Sequence, residues 1–142
     1  VLSDCPLPTS PHRPPSTSMK PPSTTPAIKV VMMPQDTNPQ GTVFGGVILS
    51  LIDQAAWIEA LRQANLRYVT VAFEKVEFHR PVEVGDVLSL WAETLRIGRT
   101  SIRVRVLVKA FRPRINSEID VTSGEAVMVA VGEEGTPREI GG

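Results

Sequence analysis

The stretch Asn38-Pro-Gln-Gly-Thr-Val-Phe-Gly-Gly-Val-Ile-Leu-Ser-Leu-Ile-Asp53 decides how this chain is read. A polar loop containing Gly41 runs into Gly45-Gly46, and a strongly apolar segment with one carboxylate follows at once. From Gly46 to about residue 65 the pattern predicts a helix. Val47, Ile48, Leu49, Leu51, Ile52, Ala55, Ala56, Trp57 and Ile58 cover nearly its whole circumference through three turns. A helix that is apolar all round is buried all round. A chain of 142 residues is one domain on size grounds, so something else in it has to wrap this helix.

The wrapping is predicted from what flanks the helix. Residues 27–33 form a short apolar run ended by Pro34, a first strand. Residues 35–41 are a loop rich in turn formers. Beyond the helix come β-rich stretches at 69–78, 87–96, 101–111 and 118–131. The third alternates cleanly: Ile102, Val104, Val106, Val108 and Ala110 on one side, Arg103, Arg105 and Lys109 on the other. Glu74 and Glu77 read as sheet-face residues, and Gly124 as the site of a bulge. Short links such as Ile97-Gly98-Arg99-Thr100 suit antiparallel hairpins. Strands of about ten residues span roughly 33 Å, and a helix of about eighteen spans roughly 27 Å. The lengths match, so the fold class is α+β: an antiparallel sheet of five to six strands wrapped around one long central helix.

Composition excludes several function classes. Fifteen basic and fifteen acidic residues cancel, leaving no basic field for nucleic acid or an anionic membrane. Ser50, Asp53, Gln54 and Glu59 interrupt the longest apolar run, so no membrane span is expected. The single cysteine, Cys5, has no internal partner, which fits a reducing, cytoplasmic setting. Residues 1–26 hold eight of the thirteen prolines, with many Ser and Thr. They are expected to be a disordered tail, a leader or an overextended start with Met19 as an alternative start, ahead of a domain at 27–140.

The chemistry-bearing residues are few. His12 and His79 lack metal-ligand partners at suitable spacing, a Gly-x-Ser-x-Gly elbow is absent, and Cys5 lies in the tail. No metal and no cofactor are expected. The free N–H groups at Gly45 and Gly46, with the positive end of the helix dipole, would suit an anion or merely a tight loop-helix junction. Asp53 shares a helix face with Ser50, Gln54 and Trp57. A carboxylate in a buried helix is costly unless it is paired or used, so both roles are open. Trp57 reads as core and Ser50 as a small packing residue.

Asp36-Thr37-Asn38-x-x-Gly41-x-x-Phe44-Gly45-Gly46, then Asp53, then Phe78-x-Arg80-Pro81-Val82-x-Val84-Gly85-Asp86, resemble the hotdog-fold acyl-CoA thioesterases. The resemblance is to the bacterial broad-range and brain-type branch, over about residues 28–140. It implies hydrolysis of acyl-CoA to a free acid and CoA, with CoA entering as part of the substrate. It also implies a homodimer with active sites at its interface, assembled further as a trimer of dimers. Asp53 would then be the general base or nucleophile, the Gly46 amide the oxyanion donor, and Asn38 the group orienting water or thioester, although turn propensity alone also accounts for Asn38. Gly98-Arg99-Thr100-Ser101 looks like the family's turn against the pantetheine arm. Gly45, Arg99, Thr100, Ser101 and Arg112 are the candidate CoA contacts. The family often carries a large aromatic just after Gly-Gly, and this chain has Val47, so chain-length preference does not carry over.

Spacing adds one geometric step. Seven residues put Gly46 and Asp53 roughly 10 Å apart along the helix axis. Two antiparallel helices across a two-fold axis would bring each Asp53 to the other chain's Gly46. Two other readings compete. A non-catalytic acyl-CoA sensor on the same fold would usually bring an output domain. A hotdog dehydratase would want an Asp/His pair near the helix, and no histidine occurs between residues 13 and 78.

Overall fold

All five stretches read as strands form strands. In the computed structural model, which describes residues 25–141, β1 spans Ile28–Val31, β2 Arg67–Phe78, β3 Val87–Ile97, β4 Ser101–Arg112 and β5 Ser117–Val131. The helix, α1, spans Gly45–Gln63. The proline-rich segment, with Cys5 and His12, lies outside the described residues. The loop before the helix contains a short 3₁₀ turn, Pro34–Asp36, that the turn signals did not separate.

The strands make one antiparallel sheet in the order β1-β3-β4-β5-β2. Short hairpins keep β3, β4 and β5 adjacent, while the longer connections carry β1 and β2 to the two edges. The inward row of β4 read from alternation is fully buried: Ile102, Val104, Val106, Val108 and Ala110. It meets Ile48, Ile52, Ala55, Ala56 and Ala60 of α1. The alanines let the helix axis approach the sheet closely, and Leu88, Leu90, Val121 and Met128 close the layer. The outward row carries charge as predicted. Arg103 reaches Glu74 and Glu125 at 2.6 and 2.9 Å, and Arg105 reaches Glu93 at 2.8 Å. The two exposed pairs, Arg103–Glu74 and Arg105–Glu93, add about 0–1 kcal/mol each.

The expectation of a helix buried all round is corrected. Ser50, Gln54, Trp57 and Ile58 are exposed, Trp57 by 46%. One five-stranded sheet covers only one side of a helix, and among the described residues nothing covers the other. Trp57 is therefore not core. The edge strand β2 is also apolar and exposed, at Val69, Val71 and Phe73. Unpaired edges and contiguous apolar patches mark surfaces that another chain occupies.

Gly124 is not itself a bulge. It stays in register with Val106, and the irregularity lies on β2, between Glu74 and Glu77. Lys75 there has a left-handed φ of 53°. A Cβ on Gly124 would meet Val76 Cγ2 at 3.0 Å, so the glycine makes room for the bulge opposite it. Among the described residues no helix is long and apolar enough to cross a membrane.

A buried carboxylate clamps the far end of α1. Glu59 accepts two hydrogen bonds from Arg62, at 2.8 Å each, one from Gln63 at 3.1 Å and one from Thr94 of β3 at 2.7 Å. Burial opposes its ionisation, but these donors together outweigh burial and hold its pKa below the ordinary value of 4.5. A depressed folded-state pKa stabilises above the unfolded value and is lost as pH falls through the folded one. The melting temperature is thus expected to decline once pH drops below about 4.5, and Glu59→Gln to remove part of that decline. Thermal melts of both proteins from neutral to acid pH measure it; identical acid slopes would refute the role of the clamp.

Candidate active site

The loop ahead of α1 is held by its own side chains. Asn38 Oδ1 accepts from the Gln40 and Thr42 amides at 3.0 and 3.1 Å, and Asn38 Nδ2 donates to Thr42 Oγ1 at 2.9 Å. Asn38 therefore shapes the loop directly, as its turn propensity suggested. Gly41 completes the turn at φ 90°. The Val43 amide donates to the Val82 carbonyl, which ties the loop to the segment carrying Pro81 and Val82.

The helix then opens on Gly45 and Gly46. Phe44 stands at the cap position and gives no side-chain capping bond. The Val47 amide already donates to the Phe44 carbonyl at 3.0 Å, whereas the Gly45 and Gly46 amides have no preceding turn to pair with. Phe78, at the end of β2, lies beside Gly45: a Cβ there would meet its ring at 3.6 Å. A Cβ on Gly46 would meet nothing within 4 Å, so packing inside the chain does not call for glycine at that position.

Asp53 sits two turns further on, partly exposed on the open side of α1. Thr70 of β2 donates its hydroxyl to Asp53 Oδ1 at 2.5 Å. Oδ2 has no partner among the described residues. The carboxylate is thus held through one oxygen and keeps the other for a further partner. Thr70 escaped the sequence reading, although a signal was there. A helix carboxylate needs a donor, and the alternation that turns Tyr68 into the core puts Thr70 on the same inward face. Ser50 Oγ donates to the Val47 carbonyl at 2.8 Å, a back-bond within the helix.

The candidate CoA contacts separate into two places. Ser101 lies on the row Ser101–Val129–Val69, next to the row that holds Ile102, Met128 and Thr70. Two strand spacings put it roughly 10 Å from β2 on the same end of the sheet. The turn before it is tight: the Gly98 amide donates to the Ser101 carbonyl at 2.8 Å, and a Cβ on Gly98 would lie 3.0 Å from Ser101 Oγ. The C-terminal segment returns here, with the Ile140 amide on the Arg99 carbonyl. Arg99 itself is exposed, with Glu139 at 3.4 Å. Arg112 ends β4 at the other extreme, roughly 36 Å away for twelve residues. It faces Asp86 and the Pro81 carbonyl, so its guanidinium is already engaged.

Comparison with known proteins bears on this arrangement. The family described as the thioesterase superfamily matches residues 40–115. An uncharacterised acyl-CoA thioester hydrolase of Zymomonas mobilis is 41% identical over 122 residues, 84% of this chain and 80% of that protein. A hexameric hotdog-fold thioesterase of Campylobacter jejuni superposes with a TM-score of 0.78 at 42% identity, over 82% of this chain and 90% of that one. An acyl-CoA hydrolase of Staphylococcus aureus, solved with butyryl-CoA, CoA and CoA disulfide, superposes with a TM-score of 0.73 at 30% identity, over 80% and 69% of the two chains. The Staphylococcus enzyme was also solved with one aspartate, and separately with one asparagine, replaced by alanine.

Proposed function

Because the chain belongs to the thioesterase superfamily and is an acyl-CoA thioester hydrolase of the hotdog fold, we propose that Asp53 is its general base and that the site is completed by a second copy. Water attacks the thioester carbonyl carbon while Asp53 Oδ2 takes its proton. The oxyanion of the tetrahedral intermediate rests on the Gly46 amide of the partner chain, one preorganised donor being worth about 3 kcal/mol. The C–S bond then breaks, the carboxylic acid forms, and the CoA thiolate takes up the proton.

The observation that carries this reading is the Thr70–Asp53 hydrogen bond, which orients the carboxylate and leaves Oδ2 without a partner among the described residues. Two others support it. Gly46 has room for a side chain, so its glycine is better explained by close approach of a substrate than by packing. The aspartate and asparagine mutated in the Staphylococcus enzyme are separated by the same fifteen positions as Asn38 and Asp53. Asn38 acts on the substrate through its loop. The Nδ2 group carries a second hydrogen beyond the one given to Thr42. The turn of Gly98, Arg99, Thr100 and Ser101, with Gly45, supplies the CoA side. Arg112 has no part in it, since its guanidinium is engaged by Asp86 and Pro81.

The enzyme is an oligomer, as are its hexameric relatives. The minimal unit is a homodimer in which the β2 edges and the open faces of α1 meet, which buries Val69, Val71, Phe73 and Trp57. The sensor reading loses to catalysis because the relatives are named as hydrolases.

Release of free thiol from a series of acyl-CoA esters tests the activity; binding without thiol release would overturn it. Thr70→Val tests the site. Loss of a hydrogen bond to a charged group costs about 2 kcal/mol. Here kcat should fall roughly thirtyfold with KM nearly constant, and Thr70→Ser should restore most of it. A valine variant with full kcat would remove Thr70 from the mechanism.

A further inference from the structure

Phe73 stands on the helix side of β2 without belonging to the core. It is 36% exposed, although it faces the same way as buried residues. Its strand partner is Ala126, as Met128 is the partner of Thr70 and Thr122 that of Phe78, and all three partners are buried. Residues directly opposite each other on paired strands share a face. The register shift between Thr70 and Ala72 produces this placement. Without it Ala72 would oppose Ala126, and Phe73 would turn to the outer face. Arg103 supports the assignment independently. It reaches Glu74 at 2.6 Å and Glu125 at 2.9 Å from the outer face, so Phe73, one residue before Glu74, points inward. β2 meets α1 where Thr70 bonds Asp53 and, further along, where the Phe78 ring lies beside Gly45. Phe73 lies between these two places.

Strand register gives the substrate a direction. The row Ser101–Val129–Val69 adjoins the proposed CoA turn, the row Ile102–Met128–Thr70 carries the partner of Asp53, and the row Val104–Ala126–Phe73 lies beyond it. A thioester with its sulfur toward Ser101 and its carbonyl at Asp53 therefore points its acyl chain at Phe73. Met128 and Ala126 put the rows of Thr70 and Phe73 two residues apart, roughly 7 Å. That is about the length of five or six extended carbons with bonds near 1.5 Å. Val47, next after Gly46, is small and packs against the core, so it closes nothing. In the proposed dimer the two-fold axis crosses midway between Gly46 and Asp53, along the stretch of α1 that Phe73 overlooks. The two copies of Phe73 then stand between the two sites and wall each off from the other. We propose that Phe73 is a specificity-determining residue that ends the acyl site, so that the enzyme favours short acyl chains, up to about six carbons, over long ones. The inference rests on the proposed placement of the thioester between Asp53 and the Ser101 turn.

The test is kcat/KM of the full-length protein for straight-chain acyl-CoA esters from acetyl to palmitoyl, for wild type, Phe73→Ala and Phe73→Trp. A methylene that an apolar site refuses or accepts is worth roughly 10- to 200-fold. Wild type is expected to be fastest on butyryl- or hexanoyl-CoA and at least about tenfold slower on decanoyl-CoA. Phe73→Ala should raise the ratio of decanoyl to butyryl turnover about tenfold or more, and Phe73→Trp should lower the ratio of hexanoyl to acetyl turnover by a similar factor. The two variants shift the profile in opposite directions, which a loosened fold cannot do. Tryptophan keeps the position filled, so its result stands even where the alanine protein is unstable. Palmitoyl-CoA hydrolysed by wild type as well as butyryl-CoA would overturn the proposal, and so would a wild-type profile in both variants. Failure of the Asp53 assignment shows elsewhere, as an Asp53→Asn enzyme that turns over at the native rate, and does not alter the comparison of profiles.

Discussion

Replacement of Asp53 by asparagine is expected to lower kcat for acyl-CoA hydrolysis by roughly a hundred- to ten-thousandfold, the usual worth of a positioned general base. Asparagine has nearly the same shape. Its side-chain oxygen still accepts from the Thr70 hydroxyl, so the geometry at the centre of α1 persists. Its amide cannot take a proton from water at any pH. The melting temperature and assembly mass should stay at wild-type values, and KM should change little if the carboxylate acts chiefly in the transition state. A stable, correctly assembled variant that turns over at the native rate would end the case for Asp53. A collapse of assembly would point instead to a carboxylate that holds the fold. The Thr70→Val result separates these cases further, because a purely structural Asp53 would make the valine variant unstable without a selective loss of kcat.

The fold was legible because two periodicities were unambiguous. Period-two alternation in β4 assigned Ile102, Val104, Val106, Val108 and Ala110 to the core, and every one of them is fully buried. The long, mostly apolar run after Gly46 announced the helix, and its start was misjudged by only one residue. The same run misled on burial. Apolarity all round does imply contact all round, but sequence periodicity does not say whose atoms make the contact. Trp57 and Ile58 face out of this chain. The two-fold argument drawn from the spacing of Gly46 and Asp53 is what puts a second copy on that side in the proposal above.

The positions of the candidate site residues were legible where they depended on neighbours along the chain, and illegible where they depended on neighbours across it. Asp53, Gly45 and Gly46 belong to one helix and could be placed from sequence. Thr70 is seventeen residues from Asp53 and meets it only because β2 returns along the helix. Arg112 shows the reverse case. Its type suits a phosphate, yet strand pairing sets it beside Asp86. A motif of the form Pro-Val-x-x-Gly-Asp could not reveal that its aspartate has a structural partner 26 positions later.

That partner sets the largest stability effect expected here. Asp86 is 1% exposed and receives Arg112 in a two-pronged grip, Nε at 3.0 Å and Nη2 at 2.9 Å, while its Oδ2 also accepts the Glu83 amide at 2.9 Å. Hydrogen bonds to Asp86 raise the pKa of Arg112 further, so the guanidinium stays charged throughout the accessible range. Asp86→Ala strips this charge of its main partner and leaves Glu83 and the Pro81 carbonyl as weaker company. Removing one member of a buried pair costs about 3–5 kcal/mol, against a typical total of about 5–15 kcal/mol for a domain. Denaturant melts should therefore show a midpoint far below wild type, and Asp86→Leu/Arg112→Met should recover much of the loss, since it leaves no buried charge unpaired. A loss under about 1 kcal/mol in the alanine variant would contradict the assignment, because that is the worth of an ordinary exposed pair. The damage reaches the site by a short route. Gly85, at φ 88°, and Asp86 shape the turn that carries Val82 and Glu83. Val82 holds the Val43 amide, and Glu83 bridges to Thr42. Those contacts fix the loop that delivers Asn38, Gly45 and Gly46. Whatever Asp86→Ala protein folds should thus bind acyl-CoA more weakly, while the Asp53–Thr70 pair, anchored on the middle of α1, stays in place.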